Sequence, residues 1–132
     1  KISPQPQPPG LLQLPNIQHL QTLITAKVPA HLHLLDILAA LHPTPAVAGS
    51  PRAIACDYIR RYETFERSLY AAPLGWIDYQ GNGEFIVGIR SALISEHSTR
   101  LYAGAGIVAG SAPDQEVAEI QLKLQTLLST LY

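Results

Sequence analysis

The sequence predicts an α/β chain of α+β character, with antiparallel strands on one side and helices packed outside them. Three observations predict it. A β-hairpin signal lies near the middle of the chain, with glycine-supplied turn geometry at Gln80-Gly-Asn-Gly83. A third apolar stretch, Arg100–Val108, follows it and runs into a glycine-rich end. Two amphipathic segments with helical spacing bracket these strands, so helices and strands together form an incomplete layer.

The elements follow in order. The first fifteen residues hold Pro4, Pro6, Pro8, Pro9 and Pro15. Proline removes backbone donors and fixes φ, so 1–15 reads as a linker or arm and 16–132 as the folded part. Residues 16–28 carry Ile17, Leu20, Leu23, Ile24 and Val28 with β-branched Thr22 and Thr25, which predicts a strand. Leu34, Leu35, Leu38 and Leu41 form a helical stripe ended by Pro43. His42–Gly49 holds two prolines and a glycine, the pattern of a fixed, non-repetitive loop. Ser50-Pro51 then starts a helix expected to bury Ile54, Tyr58, Ile59 and Tyr62. Leu74–Tyr79 and Glu84–Ile94 are the two hairpin strands. Ser111 is placed to cap a last helix over about 112–131, with Val117, Ile120, Leu124, Leu127, Leu128 and Leu131 on its inner face.

Composition narrows the function. Of 132 residues, 47% are apolar and only 14% charged, so a surface partly covered by something else is expected. A net charge of −1 with no basic stripe gives nucleic acid binding no support. No apolar run approaches the roughly 20 residues that span a bilayer, so no membrane partner is expected. The lone Cys56 excludes an intrachain disulfide and fits a reducing compartment. There is no methionine, even at position 1. The expectation is therefore a part of, or a product cut from, something longer.

Several groups could carry chemistry. Glu116, Glu119 and Lys123 share one face of the last helix. Two carboxylates a turn apart suit a hard divalent cation such as Mg²⁺. Equally, Glu119 and Lys123 suit a plain i,i+4 ion pair, and on spacing alone that reading is the commoner. Arg90 falls within an apolar strand run, where a guanidinium needs an acceptor: an anionic ligand, an internal carboxylate, or water on an open strand face. Gly104-Ala-Gly106 exposes backbone N–H groups that can cradle an anion, though it lacks the spacing of a dinucleotide or Walker loop. His19 and His42 have no partner at zinc spacing and read as hydrogen-bonding histidines. Cys56 reads as a core residue.

Five ordered runs carry a resemblance. His42-Pro-Thr-Pro-Ala46, Phe65–Tyr70, Gly75–Asp78, Gly83–Ser91 and Ala103–Val108 resemble the chorismate-utilising enzymes in order and spacing, from about Leu14 to the C-terminus. That family includes isochorismate, salicylate, anthranilate and aminodeoxychorismate synthases. Ala46 and Ser91, where anthranilate synthases typically carry threonine, look like the isochorismate synthase branch, with water as the nucleophile. Salicylate synthase is the alternative within the family, and a non-catalytic α+β binding or assembly module the alternative outside it.

The resemblance implies a chorismate substrate and a Mg²⁺ cofactor. It implies Glu119 as a direct metal ligand and Glu116 beside it. Tyr70 and Arg90 would bind a substrate carboxylate, the N–H groups around Gly104 and Gly106 another, with Lys123 near metal and carboxylates. His19 would approach the reacting ring near the departing hydroxyl, and Ala46 would line the ring pocket. The family adds water to the ring and expels the 4-hydroxyl, using a lysine base and a glutamate acid that lie upstream of the matched region. The missing N-terminal part of the same enzyme is thus an expected partner, and the chain alone is expected to be inactive. The pathways implied are menaquinone, phylloquinone or siderophore biosynthesis, in the cytoplasm or, in a plant, a plastid. Ala48 and Ala72 stand where the motifs usually have glycine.

Overall fold

A computed structural model describes residues 9–13 and 18–131. The chain divides into two compact units, Lys1–His33 and Leu34–Tyr132.

In the first unit, β1 (Gly10–Gln13) pairs antiparallel with β2 (Gln18–Gln21), from Gly10 opposite Gln21 to Gln13 opposite Gln18. Part of the segment read as a proline-rich arm is therefore a strand. The strand expected over 16–28 is reduced to Gln18–Gln21, because a strand persists only where a neighbour supplies its ladder and β1 has four residues to offer. Residues 22–29 form no regular element, and Leu20, Leu23 and Ile24 stay exposed.

The second unit opens with α1 (Leu34–Leu41), at the predicted leucine stripe. The expected loop at His42–Gly49 contains a short helix, α2 (Pro45–Ala48), with proline in its first turn, where a missing N–H costs nothing. Helix α3 (Arg52–Tyr62) begins after Pro51 without a side-chain cap from Ser50. Next comes the predicted hairpin, β3 (Pro73–Ile77) and β4 (Gly83–Val87), with Trp76 opposite Glu84. Its turn is built locally: Asp78 accepts N–H bonds from Gln80 at 2.8 Å and Asn82 at 2.9 Å, and Gly81 supplies φ 84°.

The long strand expected over 84–94 is broken. Gly88 donates to the Ala72 carbonyl at 2.8 Å and accepts from the Ala71 N–H at 2.8 Å. The chain then turns through Arg90 at φ 48° before β5 (Ser91–Ile94). β5 pairs with β6 (Thr99–Tyr102), which ends well short of Val108. The strands thus form separate two-stranded antiparallel sheets instead of one layer. Helix α4 (Pro113–Leu128) packs against β6. Its N-cap is Ala112, one residue later than expected, while the Ser111 hydroxyl accepts from the Val108 N–H at 3.1 Å.

Among the described residues only Ala48, Ala71 and Tyr102 are buried. The apolar faces expected to be inside are largely open: Ile54, Tyr58 and Tyr62 on α3, Val117 and Leu128 on α4, and Trp76 on β3 are all exposed. Periodicity identified these faces correctly as apolar, but helix-on-sheet burial needs a second layer to cover them.

Candidate functional site

The site is built where β6, the turn before β3, and α4 meet. Tyr102, the last residue of β6, is buried and stacks on Tyr70 with ring centroids 5.2 Å apart and planes 14° from parallel. Phe65 adds a tilted ring contact to Tyr102 at 6.0 Å. Stacking on a buried ring fixes the Tyr70 plane, and its hydroxyl then lies against the backbone at Gly104: a Cβ on Gly104 would come to 2.7 Å from Tyr70 Oη. Burial, above all, pushes the Tyr70 phenol above its ordinary value. The positive charge of Arg67 opposes this and Glu63 reinforces it. At neutral pH Tyr70 is therefore a neutral hydroxyl, able to donate to an anion.

The Lys123 ammonium donates to the Gly104 carbonyl at 2.9 Å and forms an ion pair with Glu119. Lys123 is mostly covered and Glu119 half exposed, with side-chain exposures of 22% and 52%. The i,i+4 spacing read from the sequence thus forms the pair, and Lys123 also ties α4 to the strand end nineteen residues back. Glu116 stands one turn before Glu119 on the same helix. Two carboxylates a turn apart are hard oxygen donors that fit a Mg²⁺ ion retaining several waters. Among the described residues, no group of three or more His, Cys, Asp or Glu converges on a metal position.

The other predicted residues are placed as follows. Arg90 lies at the break between β4 and β5, not inside a strand. Its guanidinium has no ion-pair partner among the described residues, so the internal salt bridge considered for it does not form. Ala46 is exposed on α2. Gly106 has open space where a side chain would be. His19 pairs through its backbone with Leu12 in the first unit, and its side chain lies outside the described residues. His42 and Cys56 line an open cleft of about 340 Å³ beside Arg67, so Cys56 is half-buried there and not in a core. Ala48 and Ala72 are not in the left-handed region. Of the alanines in these motifs it is Ala71 that is left-handed, at φ 62°, alongside Ser68 at 49° and Arg90 at 48°.

Two residues without a role in the sequence pattern, Arg67 and Glu63, also shape the site. Arg67 grips Glu63 through two N–H groups, Nε at 2.8 Å and Nη2 at 2.5 Å, and donates a third to the Val47 carbonyl at 2.8 Å. Its guanidinium carbon lies over the Tyr70 ring, 5.6 Å from the centroid. The Glu63 hydrogen bonds hold the Arg67 pKa above its ordinary value. The available signal was the i,i+4 spacing of Glu63 and Arg67, with Tyr70 three residues further on.

The sequence matches the family described as "Chorismate binding enzyme" over residues 2–132. The chain belongs to that family. It is 48% identical over 126 residues to the salicylate biosynthesis isochorismate synthase of Pseudomonas aeruginosa, covering 96% of this chain and 26% of that protein. It is 46% identical to isochorismate synthase MenF of Bacillus subtilis, covering 96% of this chain and 27% of the relative. A crystal structure of a putative 2,3-dihydroxybenzoate-specific isochorismate synthase, DhbC from Bacillus anthracis, superposes with a TM-score of 0.85 at 43% identity, over 96% of this chain and 34% of that one. The chain thus spans about a quarter to a third of the length of the relatives it matches. The fold is that of part of a chorismate-binding enzyme. Among the described residues, no helix is long and apolar enough to cross a membrane.

Proposed function

We propose that this chain forms the carboxylate- and Mg²⁺-binding part of an isochorismate synthase, which converts chorismate to isochorismate. The observation that carries the reading is the convergence of the Tyr70 hydroxyl, the Gly104 backbone and Lys123 beside Glu119. A dianionic substrate needs neutral and cationic donors on one side and a charge-compensated carboxylate on the other. Tyr70, held protonated by burial, donates to one substrate carboxylate, and Arg90, with no ion-pair partner among the described residues, grips it through its fork. Backbone N–H groups around Gly104 and Gly106 receive the other carboxylate. Lys123 lies close enough to share that charge while remaining tied to the Gly104 carbonyl.

Glu119 would hold Mg²⁺ directly and Glu116 through its waters. When bound, the ion supplies positive charge that neutralises a substrate carboxylate among glutamates. Ala46 leaves room for the ring. The reaction is a balanced exchange: one water adds to the ring as the 4-hydroxyl leaves as water and the double bond migrates. The lysine base and glutamate acid that this requires have no counterparts in the matched motifs. General acid and base groups each contribute about 10²–10⁴-fold, so the isolated 132-residue polypeptide is inactive on chorismate. Chromatographic assay of the purified polypeptide and of the complete enzyme, each with and without Mg²⁺, tests this. Isochorismate from the complete enzyme alone is expected. Isochorismate formed by the 132-residue polypeptide would overturn the division of labour, and none from the complete enzyme would overturn the activity.

A further inference from the structure

Arg67 makes three side-chain hydrogen bonds and a ring contact, and none of them points to a ligand. Two N–H groups are spent on the Glu63 carboxylate and a third on the Val47 carbonyl. Both members of the ion pair are largely covered, with side-chain exposures of 26% and 28%. A planar fork bound on two edges can turn neither in plane nor out of it. The guanidinium is therefore a fixed plate, and the Tyr70 ring lies 5.6 Å from it. The same ring is stacked at 5.2 Å on buried Tyr102. Tyr70 thus takes its position from two rigid neighbours, and its hydroxyl is delivered to Gly104 as a result. Val47, the other anchor, directly follows Ala46 in α2. One guanidinium links the helix carrying the ring-pocket alanine to the tyrosine offered to the carboxylate.

We infer that Arg67, locked by Glu63, is a positioning residue that sets the Tyr70 hydroxyl and the Ala46 helix in register with each other. This rests on the reading of Tyr70 as a substrate-carboxylate donor. Lysine cannot reproduce the device: a point charge can pair with Glu63, but it has no second edge for Val47 and no plate for the ring. A displacement of about 1 Å at a positioning group costs on the order of 10²-fold in rate, so a loss within one to two powers of ten is expected.

The test is a double-substitution cycle in the complete enzyme: Arg67→Lys, Tyr70→Phe and both together, with kcat, KM for chorismate and thermal midpoint measured for each. Arg67→Lys should raise KM and lower kcat/KM by roughly 10–100-fold. In the Tyr70→Phe background it should cost little more, because the hydroxyl it places is already gone. Glu63→Gln, which keeps the shape and weakens the grip, should show a smaller loss with the same dependence on Tyr70, and serves if Arg67→Lys folds poorly. Losses that multiply across the cycle, or a lowered thermal midpoint with unchanged KM, would overturn the positioning role and leave Tyr70 as a donor intact. Wild-type kinetics for Tyr70→Phe alone would instead remove Tyr70 from the site, and the inference with it.

Discussion

The hydroxyl of Tyr70 lies so near the backbone of Gly104 that a single methyl group would come to 2.7 Å from its oxygen. Glycine is required at 104 by this approach and not by backbone geometry, since the positive-φ glycines of the second unit are Gly49, Gly81 and Gly110. Neither side can give way easily. The Tyr70 ring is stacked on Tyr102 and faces the Arg67 guanidinium, while the Gly104 carbonyl is held by Lys123.

Gly104→Ala in the complete enzyme is therefore expected to displace the tyrosine hydroxyl and lower kcat/KM for chorismate by about tenfold or more. Combining it with Tyr70→Phe should relieve the clash, because the ring carbon that carried the oxygen would stand 3.9 Å from the new methyl, an ordinary contact. Steady-state kinetics and thermal midpoints of the two singles and the double check this. A double variant less stable than the sum of the singles would show that the contact is not the reason for glycine.

Arg90 supports a second expectation. Arg90 is a half-buried residue at a left-handed position between two strands, and with no ion-pair partner among the described residues its fork is available to an anion. Arg90→Ala should raise KM and lower kcat/KM, with a loss of about 2–5 kcal/mol if the carboxylate contact is desolvated. Wild-type kinetics in a folded variant would make Arg90 a surface residue.

What was legible in the sequence is what depends on near neighbours. The β3–β4 hairpin was readable because Asp78, Asn82 and Gly81 make their own turn, and α3 and α4 because apolar spacing and proline mark them. The break at Gly88 was not readable, since it comes from bonds to Ala71 and Ala72, some sixteen residues back, that no local pattern announces. The site divides the same way. Glu119 and Lys123 meet as their helical spacing requires, whereas the bond from Lys123 to Gly104 depends on where α4 packs. The exposed faces of α3 and α4 show the same limit: periodicity says which side is apolar and nothing about what covers it.

The hairpin turn carries a pH dependence. The Asn82 side chain, foremost, and the backbone N–H groups of Asn82, Gln80 and Gly81 hold the Asp78 carboxyl below its ordinary value. A carboxyl whose pKa is lower in the folded state stabilises the fold at pH above its unfolded value, about 3.9. That stabilisation disappears as pH falls through the lower folded value. Amide exchange at Gln80 and Asn82 should accelerate, relative to other sites, only below about pH 4. In Asp78→Asn the extra acid sensitivity of these two amides should vanish, and its persistence would place the cause elsewhere.

In the complete enzyme Glu119 is expected to ligate Mg²⁺, and Glu119→Gln to abolish turnover without unfolding the protein. On α4, Glu116 and Glu119 stand one turn apart, a spacing at which two carboxylates can reach one ion directly or through its waters. Helix α4 is set against β6, which fixes where that acidic edge faces. Lys123 pairs with Glu119 and with the Gly104 carbonyl, so the carboxylate is charge-compensated. A cation held by Glu119 would supply that compensation instead and would leave the Lys123 ammonium available to an incoming carboxylate. Cation and substrate should therefore bind cooperatively, each raising the affinity of the other by the same factor. Glutamine keeps the size of the side chain and removes its charge, so it isolates the electrostatic contribution. A plain surface ion pair would predict a change under about 1 kcal/mol and normal turnover. Calorimetric titration of Mg²⁺ with and without chorismate, alongside activity, separates the two. An unchanged Mg²⁺ affinity together with normal kcat in Glu119→Gln would return this residue to the role of a surface partner for Lys123.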